Sequence, residues 1–277
     1  MVETVARWST HGVAAALVLM AGLMLGAVSG CTTMGRSSEA GLGPEVFTPS
    51  DEPEVRRRAR IRLELAVKYY EAGKMAVALD EVKQALVNDP TYGDAYNLRG
   101  LIYMGLNELG QAEDSFRRAL GLRSNDSNVL HNYAWLLCQQ QKYAEADKYF
   151  LQVLNNPAYI ARSKTLMAQG LCQARSGQKE QAEHTLLKAY ELDAGNPVVG
   201  YNLSELFMRR GELKRAQFYI RRINNSELAN AETLWMGIKV ERGLNDVVAV
   251  RQLSDQLRKR FPESRERAAL DRGAFDE

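Results

Sequence analysis

The side chains best suited to chemistry in these 277 residues are few and far apart: Cys31, Cys138 and Cys172, with the histidines His131 and His184. A structural zinc site takes four Cys or His ligands at short spacing. With three residues of each kind in the chain, such a site would use up most of both, and neither histidine has a partner at metal spacing. No His-Glu-x-x-His, Gly-x-Ser-x-Gly or glycine-rich phosphate loop occurs, so no hydrolytic metal centre or activated nucleophile is expected and the chain reads as a non-enzyme. The cysteines are not in a Cys-x-x-Cys pair, which argues against a catalytic dithiol. Lys+Arg is 36 against Asp+Glu 34, a net charge of +2, too weak a field to hold nucleic acid. Hydrophobic residues at 45% and charged residues at 25% are ordinary for a folded chain.

Cys31 has a distinctive setting. From Trp8 to Gly35 there is no Asp, Glu, Lys or Arg, and Val13 to Val28 is almost continuously apolar. An uncleaved membrane anchor is the rival reading, but a spanning helix needs about 20 apolar residues, more than this stretch supplies. A short apolar run followed by small residues has the shape of an export signal with a cleavage site. Val28-Ser29-Gly30-Cys31 resembles the bacterial lipobox, in which the Cys is acylated and becomes the new N-terminus. That resemblance implies a signal peptide over 1–30, a lipid anchor on Cys31 and no other cofactor. With Thr32 rather than Asp after the Cys, it also implies the periplasmic face of the outer membrane. From Thr32 to about Pro53 the chain is rich in Gly, Ser, Thr and Pro, a composition that cannot offset ordering entropy. Residues 31–58 are therefore expected to form the lipidated Cys and a flexible tether, the stretch from Thr32 to Pro53 having a reach of about 25 Å. The run Arg56-Arg57-Arg58-Ala59-Arg60 reads as a solvated helix start, with contact to anionic head groups as the rival.

Beyond the tether the sequence repeats. Ala78, Ala112, Ala146, Ala182, Ala216 and Ala249 recur at intervals of 34, 34, 36, 34 and 33. Twelve residues before each stands a second small residue: Ala66, Gly100, Ala134, Gly170, Ser204 and Gly237. Small side chains are needed where helices cross closely. Large apolar residues keep the same phase, Phe116, Phe150, Leu186, Ile220 and Leu253 lying four after Ala112, Ala146, Ala182, Ala216 and Ala249. Segments such as Glu71-Ala72-Gly73-Lys74 and Ser176-Gly177-Gln178 mark the turns. The pattern resembles the tetratricopeptide repeat. It implies an all-α, right-handed superhelical solenoid of six helix–turn–helix units over 59–262, starting near 59, 93, 127, 163, 197 and 230, with 263–277 as a C-terminal tail or cap. The 36-residue interval falls at Asn155-Asn156-Pro157-Ala158-Tyr159, expected to be a loop.

In such a fold the first helix of each unit lines the concave face. Its second, fifth, ninth, twelfth and thirteenth positions give Tyr70 and Glu71 from unit one, and Asp94, Asn97, Leu101 and Met104 from unit two. Unit three gives Asn128, His131, Trp135 and Gln139. Apolar anchors beside amide and imidazole groups suit a bound peptide. The alternative for Trp135 and Met104 is core between repeats. Leu63 and Val67 stand where a chaperone-type carboxylate clamp would need Lys and Asn, so that mode of recognition is not expected. Cys138 and Cys172 lie one repeat length apart on first helices, compatible with a disulfide in an oxidising compartment or with two buried thiols.

Several strings go beyond the repeat consensus: Asn132-Tyr133-Ala134-Trp135-Leu136-Leu137-Cys138, Asn156-Pro157-Ala158-Tyr159, Gln169-Gly170-Leu171-Cys172, Thr233-Leu234-Trp235-Met236-Gly237-Ile238 and Arg260-Phe261-Pro262-Glu263-Ser264. With the Cys31 motif and six units, they resemble the type IV pilus biogenesis lipoproteins of the PilF/PilW family. The resemblance implies a pilotin, which brings the secretin to the outer membrane and promotes its assembly into a ring. It implies a secretin partner held by the groove of a monomer, and a paired Cys138 and Cys172. Adaptors for cell-wall enzymes and subunits of outer-membrane protein assembly are the other lipid-anchored roles open to such a scaffold.

Overall fold

The computed structural model describes residues 51–275. The signal segment, Cys31 and the tether up to residue 50 lie outside the described residues. Within them the chain forms helices and turns, with no strand. The helices pair as α1 (Glu54–Glu71) with α2 (Met75–Asn88), α3 (Gly93–Gly105) with α4 (Leu109–Leu122), and α5 (Ser127–Gln139) with α6 (Tyr143–Leu154). Next come α7 (Arg162–Arg175) with α8 (Lys179–Leu192), α9 (Pro197–Arg209) with α10 (Leu213–Asn224), and α11 (Ala231–Gly243) with α12 (Val247–Arg260). A last helix, α13, spans Arg265–Arg272. Each pair packs within itself and against the next pair along the chain, which makes a solenoid of six hairpins.

The two small-residue columns have a direct steric cause. A Cβ built on Gly100 would lie 2.5 Å from the Phe116 ring, and one on Gly170 would lie 2.7 Å from Leu186. Each large residue of the second helix thus fills the space its partner on the first helix vacates. Phe116, Phe150, Leu186 and Ile220 are all fully buried. Ser204 keeps the column small and satisfies its hydroxyl by donating to the Ala216 carbonyl at 3.1 Å.

Every turn inside a hairpin uses one geometry. Gly73, Asn107, Gln141, Gly177, Gly211 and Asn245 each adopt a left-handed backbone, with φ between 59° and 83°. The residue after each donates its N–H to a carbonyl five residues back, as Lys74 does to Tyr69 and Lys142 to Leu137. Gly and Asn suit that conformation, whereas Gln141 holds it at a cost of about 1 kcal/mol or more. This explains why only three of the six turns carry the glycine that marks them in the sequence.

Two boundaries differ from expectation. α1 begins at Glu54, so the last residues assigned to the tether, Glu54 to Arg58, are helical. Local charge favours this extension: Arg57 bonds back to Glu54, and Arg60 reaches Glu64 at 2.7 Å. Arg56 pairs with Asp89 and lies over the Tyr92 ring at 4.5 Å, tying α1 to the α2–α3 connection. Arg56 and Arg60 are thus engaged within the fold, while Arg57 and Arg58 stay exposed at a solvated helix start. At the other end, α13 covers the last hairpin: Ser264 caps it through the Arg267 N–H, and Phe275 stacks on Trp235 with ring centroids 5.2 Å apart. Among the described residues no helix is long and apolar enough to cross a membrane, and no three His, Cys, Asp or Glu side chains are grouped to hold a metal.

Candidate functional site

The first helices of units two, three and four, α3, α5 and α7, touch in succession. Their exposed faces enclose a pocket of about 220 Å³. Leu101 and Met104 come from α3, His131 and Trp135 from α5, and Met167 and Leu171 from α7. Leu101, Trp135 and Leu171 each follow the small-column residue of their unit (Gly100, Ala134, Gly170), so the repeat itself stacks them. Trp135 is half-buried against the core and takes the Arg175 guanidinium on its ring at 4.8 Å. It serves the core and the groove at once.

Of the ten groove positions read from the sequence, the fold brings Leu101, Met104, His131 and Trp135 into this pocket, while Glu71, Asp94 and Gln139 are exposed outside it. Asn97 sits beside it, its side-chain oxygen accepting from Asn132, which lines the wall, at 3.0 Å. Tyr70 lies apart, packed on the core of unit one. Asn128 is exposed in the first turn of α5, its N–H held by the Asp126 cap at 3.0 Å. Leu63 is buried in the core of unit one rather than open to a groove. Residues missed by the sequence reading are Lys164, Met167 and Leu171. The positional rule that picked out Asn97 and Leu101 reaches them too, once it is carried past the irregular 36-residue interval.

His131 is placed by burial. It is 5% exposed, and its Nδ1 lies 2.9 Å from the Thr165 hydroxyl. That hydroxyl in turn contacts the Tyr159 hydroxyl at 3.4 Å. Tyr159 comes from the loop that lengthens the repeat, and it packs with Leu130 and Val153. The longer loop therefore contributes Tyr159 to the core that positions the pocket wall. Burial, with the Lys164 ammonium adding to it, pushes the His131 imidazole down to about 4. An unfolded histidine binds its proton near 6.5. The unfolded state thus takes up protons first, and stability is intact above about pH 6.5. It should fall as the pH drops from there and level off below about pH 4, a loss on the order of 3 kcal/mol. Urea unfolding across that range measures it, and His131→Gln should flatten the acid limb.

Cys138 and Cys172 join α5 to α7 as a disulfide, with Cα atoms 5.8 Å apart and both residues buried. The two positions are not equivalent in the repeat. Cys138 lies four residues after Ala134, whereas Cys172 lies two after Gly170. The bridge closes across that offset, directly behind the helices that form the pocket.

The profile of the tetratricopeptide repeat matches residues 93–126, the α3–α4 hairpin. The type IV pilus assembly protein PilF of Pseudomonas aeruginosa is 26% identical over 204 residues, 74% of this chain and 81% of that protein. The solved structure of PilW, described as a widely conserved type IV pilus biogenesis factor, is 28% identical with a TM-score of 0.71. That match covers 79% of this chain and 99% of the other. The solved structure of Pseudomonas aeruginosa PilF, 24% identical with a TM-score of 0.70, covers 80% and 100% and shares the fold.

Proposed function

We infer the function from the premise that this chain is a tetratricopeptide-repeat relative of the type IV pilus biogenesis proteins PilF and PilW. It acts as a lipid-anchored pilotin on the periplasmic face of the outer membrane, where it holds the pilus secretin and promotes its assembly. The observation that carries this reading is the similarity to PilF and PilW, which runs through the hairpins that build the apolar pocket between α3, α5 and α7.

The mechanism is physical. Acyl chains on Cys31 partition into the bilayer at about 0.8 kcal/mol per buried CH₂. The solenoid lies at the end of the tether, so a secretin segment seated in the groove is held at a high effective concentration beside the membrane. Leu101, Trp135 and Leu171 supply the apolar surface whose burial favours binding. Replacement of Cys31 by Ser tests the anchor. Secretin multimers should become scarce and appear in the inner membrane, while the lipoprotein itself remains folded. Normal multimers in the outer membrane would overturn the reading.

A further inference from the structure

The groove changes character along the solenoid. Leu101, Trp135 and Leu171 form a ladder of apolar side chains, and the same position in unit five is Glu205, paired with Arg209 at 2.6 Å. At that step the packing opens as well. α3, α5 and α7 pack closely in succession, whereas α7 and α9 leave a cleft of about 460 Å³. Leu171 lines both the apolar pocket and this cleft, so the two adjoin at its side chain.

The cleft is lined by four cationic side chains, Arg175, Lys179, Arg209 and Arg210, against one carboxylate, Glu205. Arg209 is taken by Glu205, and Arg210 by Glu183 and Glu212. Arg175 and Lys179 are exposed and have no carboxylate partner among the described residues; Arg175 rests on the Trp135 ring. Lys164 adds a third exposed cation at the rim of the apolar pocket. In a chain of net charge +2, this local excess of cations adjoins the apolar ladder.

We propose that the groove takes a polar-ended segment of its partner: apolar side chains seated on Leu101, Trp135 and Leu171, running into a block of carboxylates that Arg175 and Lys179 hold in the cleft. This deepens the secretin reading and rests on it for the identity of the partner. The geometry sets the spacing of the anchors. Neighbouring helices pack about 8–10 Å apart. The apolar residues therefore fall about three apart in an extended segment, at roughly 3.3 Å per residue, or about six apart in a helix, at 1.5 Å per residue, for which seven is the nearest spacing that keeps the anchors on one face. The carboxylate block gives the segment one direction along the solenoid.

The test uses the full chain in detergent with fluorescent synthetic peptides. Each carries three Leu or Phe anchors, at a spacing of three or of seven, followed by three Glu, three Gln or three Lys. The Glu peptide of one spacing should bind about tenfold more tightly than its Gln analogue, and the advantage should shrink with added salt. The combined Arg175→Glu and Lys179→Glu variant should lose the preference and favour the Lys peptide. Its circular dichroism and melting curve establish that it is folded. Equal binding of Glu and Gln peptides, an unchanged preference in the folded variant, or no binding by any peptide would overturn the proposal. Secretin multimers in cells are scored separately. Normal multimers with the charge-reversed variant would remove the carboxylate contact and leave the pilotin reading standing, whereas normal multimers with Cys31→Ser would remove that reading itself.

Discussion

Replacing Cys138 and Cys172 together by alanine should lower the stability of the central hairpins by about 3–4 kcal/mol, the loop-closure entropy expected for a bridge across 34 residues. Both cysteines are buried, so alanine fills much of the same apolar environment and the loss reports mainly the missing cross-link. A solenoid is quasi-one-dimensional, and each unit is stabilised by its neighbours. The effect should therefore be local. Amide exchange should quicken in α5 to α8 while α1–α2 and α11–α13 keep their protection. Reducing the native chain should reproduce the pattern. Unchanged exchange in α5–α8 would mean that packing alone joins units three and four. The bridge matters there because the long 155–161 loop intervenes between α6 and α7, and the disulfide links α5 directly to α7 across it.

The second large effect concerns the steric pair of unit two. Phe116 is fully buried, and its ring occupies the space left by the missing side chain of Gly100. Phe116→Ala should cost about 3–5 kcal/mol through lost burial and the cavity it leaves. Gly100→Ala gains up to about 1 kcal/mol of helix propensity. Its new Cβ would meet the ring at 2.5 Å, and the resulting overpacking should outweigh that gain by about 1–2 kcal/mol. Combined, the two changes should cost less than their sum, because the new methyl group enters the cavity made by the lost ring. A double-mutant cycle on urea midpoints measures the coupling. Strict additivity would show that the column is small for a reason other than this contact. Unit three accommodates Ala134 opposite Phe150, so the expected clash belongs to the placement of the Phe116 ring over Gly100 and not to the residue types.

These pairs also explain what the sequence makes legible. Steric exclusion between helices acts on residue size at a fixed interval, so Gly100, Ala134, Gly170 and Ser204 display the hairpins without any structure. Backbone conformation is less visible. Gly73, Gly177 and Gly211 betray the left-handed turn, but Asn107, Gln141 and Asn245 adopt it under the constraint of flanking helices already packed. The start of α1 escapes the repeat pattern because ion pairs and the reach of Arg56 to Asp89 stabilise its first turn, and neither has a period. The sequence places the extra residues in the 155–159 loop and starts unit four near 163, so the positional rule extends to Lys164, Met167 and Leu171. What no period displays is the Tyr159 side chain turning inward from that loop to steady Thr165 and His131, which is a tertiary fact. Tyr70 and Asn128 fit the positional rule yet stand away from the pocket, since a position on a helix fixes direction and not the presence of a neighbour across the groove.

We propose that the face built by α3, α5 and α7 holds the partner. The most direct measurement compares secretin multimers, on unboiled gels of outer membranes, between two variants whose folding is verified by circular dichroism. One carries Leu101→Asp, Trp135→Asp and Leu171→Asp. The other carries Val87→Asp on α2, at a valine 76% exposed and outside the pocket. The groove variant should lose the multimers and the Val87 variant should keep them. Normal multimers with a folded groove variant would contradict the claim.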